Sequence, residues 1–409
     1  MKCRHCKNNL EYIFLDLGHT PPANAYLSKD ELQKPELTFP LRIYVCDSCW
    51  LVQTEDYLKP EDLFCDDYAY FSSTSKTWLE HAHQYSEMIK TRLSLSKNDF
   101  IIEIASNDGY LLKNFVAMGI PCLGIEPTES TARVSEKNNI PVLQEFFGLK
   151  TANYLATKDK CADLICGNNV YAHVPDINNF TQGLSIVLKK NGTINLEFPH
   201  LMRLIEKNQF DTVYHEHFSY LSLTTVCGIF SKANLRIYDV EELYTHGGSL
   251  RVYGCHKNDS NKDTNQSVFN MLEKEKYSGL LDLNLYKNFQ KKINKIKNDF
   301  LMFLIDQKRT EKSVVAYGAA AKGNTLLNYA GIKSDLIQFI CDAAPSKQGY
   351  FLPGSHIPII SPDKLSKKKP DWIVILPWNI SSEIIEQQKH LLSQGGKFVT
   401  VVPELKIYS

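Results

Sequence analysis

The stretch that decides the fold is FIIEIASNDG, residues 100–109, in which a buried apolar strand runs directly into a tight polar turn. A helical pattern follows from residue 110 to 118, and a second apolar strand, residues 122–126, ends in an acidic residue. Further apolar strands occupy residues 162–166 and 192–197, and helical stretches separate them. Strands that alternate with helices indicate a parallel, doubly wound sheet, so we predict an α/β fold here.

The same α/β pattern begins again nearer the carboxyl terminus. A strand at residues 314–318 leads into the small-residue turn AAAKG, and the strand at residues 336–342 again ends in an acid. Two more apolar strands follow, at residues 371–376 and 397–402. Before this region, apolar residues recur on one face of a long Lys-rich helix near residues 285–303, which we interpret as a connector between domains. The chain therefore predicts two Rossmann-like domains in tandem.

The amino terminus carries two CxxC pairs, Cys3 with Cys6 and Cys46 with Cys49. Two such pairs supply the four thiolates of a tetrahedral zinc site that leaves no position open for water. A redox CxxC is the competing interpretation, but it expects a single motif beside a βαβ unit. The other seven cysteines are scattered singly and are typical of small core residues. We therefore predict structural Zn²⁺ bound by these four residues.

The length of the chain limits how many domains it can form. A chain of 409 residues exceeds what one core usually supports. We therefore expect three units, namely a zinc-binding domain at 1–75, a doubly wound domain at 76–250 and a second Rossmann-like domain at 251–409.

Lys+Arg and Asp+Glu both total 46, which argues against bulk electrostatic binding of nucleic acid. No secretory signal and no apolar run of about 18 residues is visible, so we expect no membrane partner and a cytoplasmic location.

The turn at residues 103–109 lacks the glycine spacing of a dinucleotide-binding loop. It is closer to the acidic first loop of class I S-adenosylmethionine (SAM) methyltransferases, where carboxylates suit a cationic cofactor. Taken singly, each acid could equally be a helix cap or a solvated carboxylate. The cofactor-binding candidates in this loop are Glu103, Ala105, Asn107, Asp108 and Gly109.

Two further segments lie where a cofactor would bind. Glu126, with Pro127 beside it, ends the second strand, at the position of an acid that hydrogen-bonds the ribose of an adenosine cofactor. Asn168 and Asn169 follow a later strand and so reach the carboxyl edge of the sheet, where open α/β folds bind ligands. His173, in the same loop, faces either the substrate or a packed interior.

The segment YHEHFSY, residues 214–220, has the densest set of reactive side chains in the sequence. Histidine is a base near neutral pH, a neighbouring glutamate can orient it, and tyrosine hydroxyls can stabilise a developing oxyanion. This composition favours proton abstraction. Metal binding and a hydrogen-bonded polar turn are the alternatives.

Several motifs occur together and in a fixed order along the whole chain. They are the two CxxC pairs and residues 68–73, 103–109, 169–175, 214–218, 246–251, 318–325 and 349–354. Together they resemble the sugar C-methyltransferases that act on nucleotide-linked keto-deoxysugars, the group that makes branched sugars such as mycarose and tetronitrose. The resemblance implies a zinc domain, a SAM domain and a carboxyl-terminal Rossmann-like domain without its own cofactor. It also implies that His217 is the base, with Tyr68, His173, Tyr214 and Glu216 in support.

The expected reaction follows from the acidity of carbon. A sugar C–H loses its proton readily only beside a carbonyl, so the substrate should be a nucleotide-diphospho-4-keto-deoxysugar, thymidine-linked and deprotonated at C3, or at C5 in some relatives. Arg251, Lys322 and Asn324 are the candidates for holding its diphosphate or base. The alternative is a relict carboxyl-terminal domain that only packs against the rest of the protein.

For the protein as a whole, a SAM-binding scaffold and an NAD-dependent sugar oxidoreductase are the competing functions. We expect a monomer or a weak homo-oligomer.

Overall fold

A computed structural model describes residues 1–57, 71–74 and 76–409 of the chain. Within this part of the chain three sheets form, one for each predicted unit. The predicted α/β class, with an amino-terminal module and two Rossmann-like domains, is confirmed. No helix among the described residues is long and apolar enough to cross a membrane.

The amino-terminal sheet has four antiparallel strands. Its own strands are β1 (Tyr12–Thr20), β2 (Phe39–Val45) and β3 (Val52–Thr54). The fourth strand, β9 (Ser219–Tyr220), comes from far along the chain and pairs with β3. The end of the histidine-rich segment is therefore built into the sheet of the zinc module.

The central sheet has seven strands in the order β10-β11-β8-β7-β4-β5-β6. The strands are β4 (Ile101–Ile104), β5 (Cys122–Ile125), β6 (Val142–Leu143), β7 (Ala162–Asn168), β8 (Leu188–Pro199), β10 (Leu235–Leu243) and β11 (Ser249–His256). The five strands β4 to β8 are parallel, and β11 runs antiparallel between β8 and β10. The strand order reverses between β4 and β7, which is where an open α/β sheet leaves a crevice for ligands.

Eight helices accompany this sheet in the described chain. They are α1 (Lys76–Leu93), α2 (Leu112–Ala117), α3 (Glu129–Lys137), α4 (Leu149–Thr157), α5 (Ile177–Val187), α6 (Leu201–Glu206), α7 (Leu223–Lys232) and α8 (Gln266–Tyr277). Because β11 extends to His256, the boundary expected between residues 250 and 251 falls inside a strand of the central sheet. The alternating pattern of a returning antiparallel strand does not reveal which sheet it joins.

The carboxyl-terminal sheet has the order β14-β13-β12-β15-β16-β17, parallel except for β17. Its strands are β12 (Val314–Tyr317), β13 (Ile340–Cys341), β14 (Ile359–Ile360), β15 (Trp372–Ile375), β16 (Lys397–Thr400) and β17 (Lys406–Tyr408). The helices are α9 (Leu283–Lys287), α10 (Phe289–Arg309), α11 (Ala321–Ala330), α12 (Leu365–Lys368), α13 (Ser381–Gln387) and α14 (His390–Ser393).

The long helix α10 buries its apolar face, as the sequence predicts, and part of that face packs against the amino-terminal sheet. Phe289 stacks on Phe14 of β1 with ring centroids 4.8 Å apart. One apolar core thus includes residues of β1, β2, α10 and the carboxyl-terminal sheet. A second core joins Cys3 and Cys46 to the central sheet. The three units consequently share their hydrophobic cores.

Candidate active site

One cavity of about 520 Å³ lies at the carboxyl edge of the central sheet, where all three units meet. Among its walls are eleven of the residues expected from the sequence: Ala105, Asn107, Glu126, Pro127, Asn168, Asn169, His173, Tyr214, Glu216, His217 and Lys322. Segments that are remote in sequence therefore form one site. Tyr68, the remaining supporting residue of the expected base, lies outside the described residues.

The acidic first loop is held open by a left-handed backbone. Ala105, Asn107 and Gly109 have φ values of 56°, 50° and 79°, respectively. The Glu126 carboxylate accepts backbone N–H bonds from Asn107 at 2.9 Å and Thr128 at 3.0 Å, and so ties the loop to the end of β5. The geometry leaves Asn107 and Glu126 at the cavity wall while fixing both in place.

Three residues of the loop lie behind the wall. Gly109 packs so closely that a Cβ there would come 2.4 Å from Ile140 Cδ1. Asp108 is buried and accepts the backbone N–H of Ser73 at 3.1 Å. Glu103 is buried, and burial beside Glu126 and Asp108 raises its pKa well above the usual range. These residues, expected at the cofactor, support the loop from beneath because the strand end directs them inward.

His217 lies in the cavity wall with one ring nitrogen held by a hydrogen bond. Its Nδ1 lies 3.0 Å from the Thr212 carbonyl oxygen. A carbonyl oxygen can only accept, so Nδ1 carries the proton and Nε2 keeps a lone pair. Burial, reinforced by the neighbouring His173, lowers the pKa of His217 well below 6.5. The imidazole is consequently neutral and able to accept a proton at neutral pH.

The residues around His217 form a compact aromatic and polar group. The His173 ring lies 4.6 Å and the Tyr214 ring 4.1 Å from the His217 ring, measured between centroids. Burial lowers the pKa of His173 to about 4, so it too is neutral. Glu216 accepts a hydrogen bond from Asn24 Nδ2 at 2.8 Å, which ties this segment to the amino-terminal module. The rings of His173, Tyr214 and His217 thus lie side by side in the cavity wall.

Sequence reasoning missed several polar or aromatic residues that line the cavity, among them Asn24, Trp78, His246 and Lys347. His246 accepts a hydrogen bond from Asn169 Nδ2 at 3.0 Å, and its ring packs edge-on against Trp78 at 5.3 Å. Burial lowers the pKa of His246 to about 4. His246 lies in a sequence motif, but the motif by itself does not indicate which side chain faces the cavity.

The carboxyl-terminal domain contributes two lysines to the cavity wall. Lys322 lies in the first turn of α11, and Lys347 donates to the Ala319 carbonyl at 3.0 Å. Ala320 and Ala321 complete this wall. Two lysines and the first turn of α11 therefore belong to one wall of the cavity, and both lysine side chains and helix amino termini suit an anion.

Arg251 and Asn324 do not reach the cavity, contrary to the expectation that they bind substrate. Arg251 is 5% exposed and pairs with Glu197 at 3.1 Å and Glu241 at 3.3 Å. Asn324 is 1% exposed and donates to the Ala23 carbonyl at 3.4 Å. Both residues occupy inward positions of regular elements, where their polar groups find partners inside the protein.

The four cysteines form a compact cluster away from the cavity. The four Sγ atoms lie within 4.8 Å of one another, with Cys3–Cys49 and Cys6–Cys46 both at 3.5 Å. Gln53 Nε2 donates to Cys3 Sγ at 3.2 Å, and this hydrogen bond orients the sulfur. Four sulfurs so closely spaced fit tetrahedral zinc, as the sequence predicts.

Three protein families match successive parts of the chain. They are a zinc binding domain at residues 3–64, a methyltransferase domain at 78–240 and a C-methyltransferase C-terminal domain at 244–403. With the sheet order and the cavity, these matches define a SAM-dependent methyltransferase with a zinc-binding domain. The scaffold and NAD-dependent oxidoreductase alternatives are thereby set aside.

The C-methyltransferase NovU of Streptomyces niveus is 32% identical over 408 residues, covering 100% of this chain and 97% of NovU. The chain belongs to this C-methyltransferase family. Among solved structures, a SAM-dependent methyltransferase of Thermotoga maritima covers 46% of this chain and 96% of its own, at 19% identity and a TM-score of 0.35. Magnesium protoporphyrin IX methyltransferase of Synechocystis covers 44% and 88%, at 12% identity and a TM-score of 0.34.

Proposed function

We propose that this C-methyltransferase acts on a nucleotide-diphospho-4-keto-deoxysugar, thymidine-linked, that it methylates C3, and that His217 is the general base. The observation that supports the proposal most strongly is the neutral His217 imidazole, whose Nε2 is left as an acceptor by the Nδ1 bond to Thr212. It lies in the cavity that also contains the acidic loop and the two lysines. This combination suits a substrate that is anionic at one end and must lose a carbon-bound proton at the other.

The residues of the acidic loop fit SAM. Asn107 and Glu126 line the cavity, as do the aromatic rings of Phe146 and Phe147, which suit an adenine. Neither polar atom of the Asn168 side-chain amide has a hydrogen-bond partner among the described residues, although both are buried. A bound cofactor would supply those partners. SAM, when bound, supplies an electrophilic methyl group.

The protein's own side chains would carry the proton and charge steps. His217 accepts the proton from the carbon beside the keto group at Nε2. The electron pair left behind spreads onto the keto oxygen, which becomes an enolate. Tyr214 and His173, whose rings lie beside the His217 ring, are the groups we propose for that oxygen. Stabilisation of this developing charge lowers the barrier to proton abstraction.

The two lysines of the cavity wall fit the diphosphate. Lys322, in the amino-terminal turn of α11, and Lys347 both line the cavity. A diphosphate needs several positive charges or N–H donors, while the sulfonium end of SAM needs acids and carbonyls. The lysines and the acidic loop thus suit two different ligands of the same cavity.

Hydrogen exchange without SAM tests this proposal, because it isolates proton abstraction from methyl transfer. In deuterated water the wild-type protein should exchange the C3 hydrogen of a thymidine-diphospho-4-keto-6-deoxysugar. His217→Asn should exchange it roughly 10²–10⁴ times more slowly, the usual contribution of a positioned base. SAM affinity should stay unchanged, because proton abstraction belongs to the transition state.

His356→Asn is the matched control, because His356 is exposed and pairs with Glu36 outside the cavity. It should exchange as wild type does. If His173→Asn abolishes exchange and His217→Asn does not, the base is His173. If the wild-type protein exchanges no hydrogen of any 4-keto-sugar nucleotide, the proposed substrate class is wrong.

A further inference from the structure

A short turn fixes the ring of His217. This turn, the 3-10 helix Phe210–Thr212, is followed at once by Val213, and Phe210, Asp211 and Val213 are all buried. The Thr212 carbonyl accepts the Nδ1–H of His217 at 3.0 Å. If that carbonyl moved away, the imidazole could place its proton on Nε2 instead, and the base would have no lone pair toward the cavity. The position of the turn therefore decides the tautomer.

The carboxyl-terminal domain holds this turn by two hydrogen bonds. Trp378 Nε1 donates to Asp211 Oδ2 at 2.7 Å. Thr325, on α11, donates from Oγ1 to the Val213 carbonyl at 2.9 Å. The two bonds flank Thr212 on either side in sequence. The carboxyl-terminal domain thus holds the residues on both sides of Thr212, whose carbonyl accepts the hydrogen bond from His217.

The Trp378 indole is itself tightly placed. A Cβ at Gly247, whose φ is +87°, would come 2.6 Å from the indole Cη2 atom. The Lys322 ammonium lies 5.0 Å from the centroid of the indole ring. On the preceding segment, Pro377 lies where a Cβ at Gly318 would come within 2.4 Å. Two glycines on different domains therefore give the segment at residues 377–378 the space it occupies.

We propose that Trp378 and Thr325 are positioning residues for His217, and that the carboxyl-terminal domain sets the tautomer of the base through the turn at residues 210–213. This inference deepens the proposed function and rests on it only for the assignment of His217 as the base. Neither residue lies in the cavity wall. Both act through the Thr212 carbonyl.

The test uses Trp378→Phe and Thr325→Val, which remove the hydrogen-bond donors and keep most of the side-chain volume. Trp372→Phe is the matched control, because Trp372 begins β15 of the same domain and packs edge-on against Phe303 at 5.0 Å. Nitrogen-15 NMR of protein labelled at histidine reports the His217 tautomer, with His217→Asn to identify its signals. Hydrogen exchange of the keto-sugar substrate and calorimetric titration with SAM complete the measurements on the full-length protein.

Wild type and Trp372→Phe should show a single Nδ1–H tautomer for His217. Trp378→Phe and Thr325→Val should show a mixture of both tautomers and slower exchange, by roughly 10- to 100-fold, as expected for a misplaced catalytic group. SAM affinity should not change in either variant. An intact Nδ1–H tautomer together with wild-type exchange in both variants would overturn the proposal.

The outcomes distinguish failure of the positioning role from failure of the assigned base. If His217→Asn exchanges substrate hydrogen as wild type does but Trp378→Phe still alters the tautomer, the assignment of the base is wrong while the effect of the turn on the His217 tautomer stands. If Trp378→Phe loses SAM affinity together with exchange, the residue is structural and the positioning role is wrong. Thr325→Val keeps the test decisive should Trp378→Phe unfold, because it alters a different bond to the same turn.

Discussion

At the scale of single residues, burial determines which protonation states the site can use. His217, His173 and His246 all line the cavity, and burial is the largest cause of the lowered pKa in each. Lys322, whose pKa is also lowered by burial, adds positive charge that further disfavours protonation of His217. The site therefore favours neutral imidazoles, and a neutral imidazole is what a base near pH 7 requires.

The pH dependence of substrate hydrogen exchange follows from these shifts. Because the folded pKa of His217 lies well below 6.5, exchange should stay level as the pH falls from 8 through 6.5. It should decline only as the pH passes through the lower, folded pKa, where the ring becomes protonated and can no longer accept a proton. Exchange rates measured across this range, at pH values where the protein stays folded, check the prediction. A midpoint near the ordinary value of 6.5 would show that His217 is not buried as described, or is not the base.

At the scale of structural elements, the turn after β4 combines a left-handed backbone with close packing. Gly109 is the position where both demands coincide, since its φ is +79° and Ser135 and Ile140 leave no space for a Cβ. Gly119, at the end of the next helical segment, has a φ of +71°, but a Cβ there would meet nothing within 4 Å among the described residues. A substitution at Gly119 would therefore meet backbone strain alone, whereas one at Gly109 would meet both backbone strain and steric overlap.

Gly109→Ala should destabilise the protein more than Gly119→Ala. Both variants carry the left-handed strain of a non-glycine residue, about 1–2 kcal/mol. Only Gly109→Ala also forces apart Ile140 and Ser135, which costs about 1–3 kcal/mol more in a packed core. Because the displaced loop carries Asn107, SAM affinity should fall in this variant alone. Denaturant unfolding and calorimetric titration measure both effects, and equal losses in the two variants would contradict the packing argument.

At the scale of the whole molecule, the zinc module does more than cap the amino terminus. Strand β3 pairs with β9, and the Thr54 hydroxyl donates to the His217 carbonyl at 3.3 Å. The backbone of His217, the proposed base, is therefore held by the zinc module, while its ring is held by the turn at residues 210–213. Shared cores connect all three units, so distant regions of the chain bear directly on the segment around His217.

Loss of zinc should therefore impair proton abstraction. Cys46→Ser removes one ligand, so the protein should lose its metal and exchange substrate hydrogen more slowly. SAM binding should be affected less, because the acidic loop and Glu126 belong to the central sheet. Cys161→Ser, a half-buried cysteine outside the metal cluster, is the control. Metal analysis and exchange assays measure the two effects, and normal exchange by a zinc-free Cys46→Ser protein would refute the coupling.

Local sequence determined the parts of this protein that depend on neighbours along the chain. The strand and turn at residues 100–109, the repeated α/β pattern and the paired CxxC motifs each carry their own signal, because strand burial, turn geometry and chelate spacing act over a few residues. The seven expected cavity residues at the ends of β4, β5 and β7 follow the same logic, since the carboxyl ends of parallel strands meet at one edge.

Only the tertiary structure decided how the remote pieces meet. It placed β9 in the zinc module's sheet, kept β11 in the central sheet, and turned Arg251 and Asn324 inward to partners within the protein. It also brought Trp378 to Asp211 across a domain interface. These contacts join residues far apart in sequence, and such pairings depend on side-chain packing and hydrogen-bond complementarity between elements. The hydrophobic periodicity of a single segment does not indicate which remote strand it pairs with or which remote polar group it hydrogen-bonds.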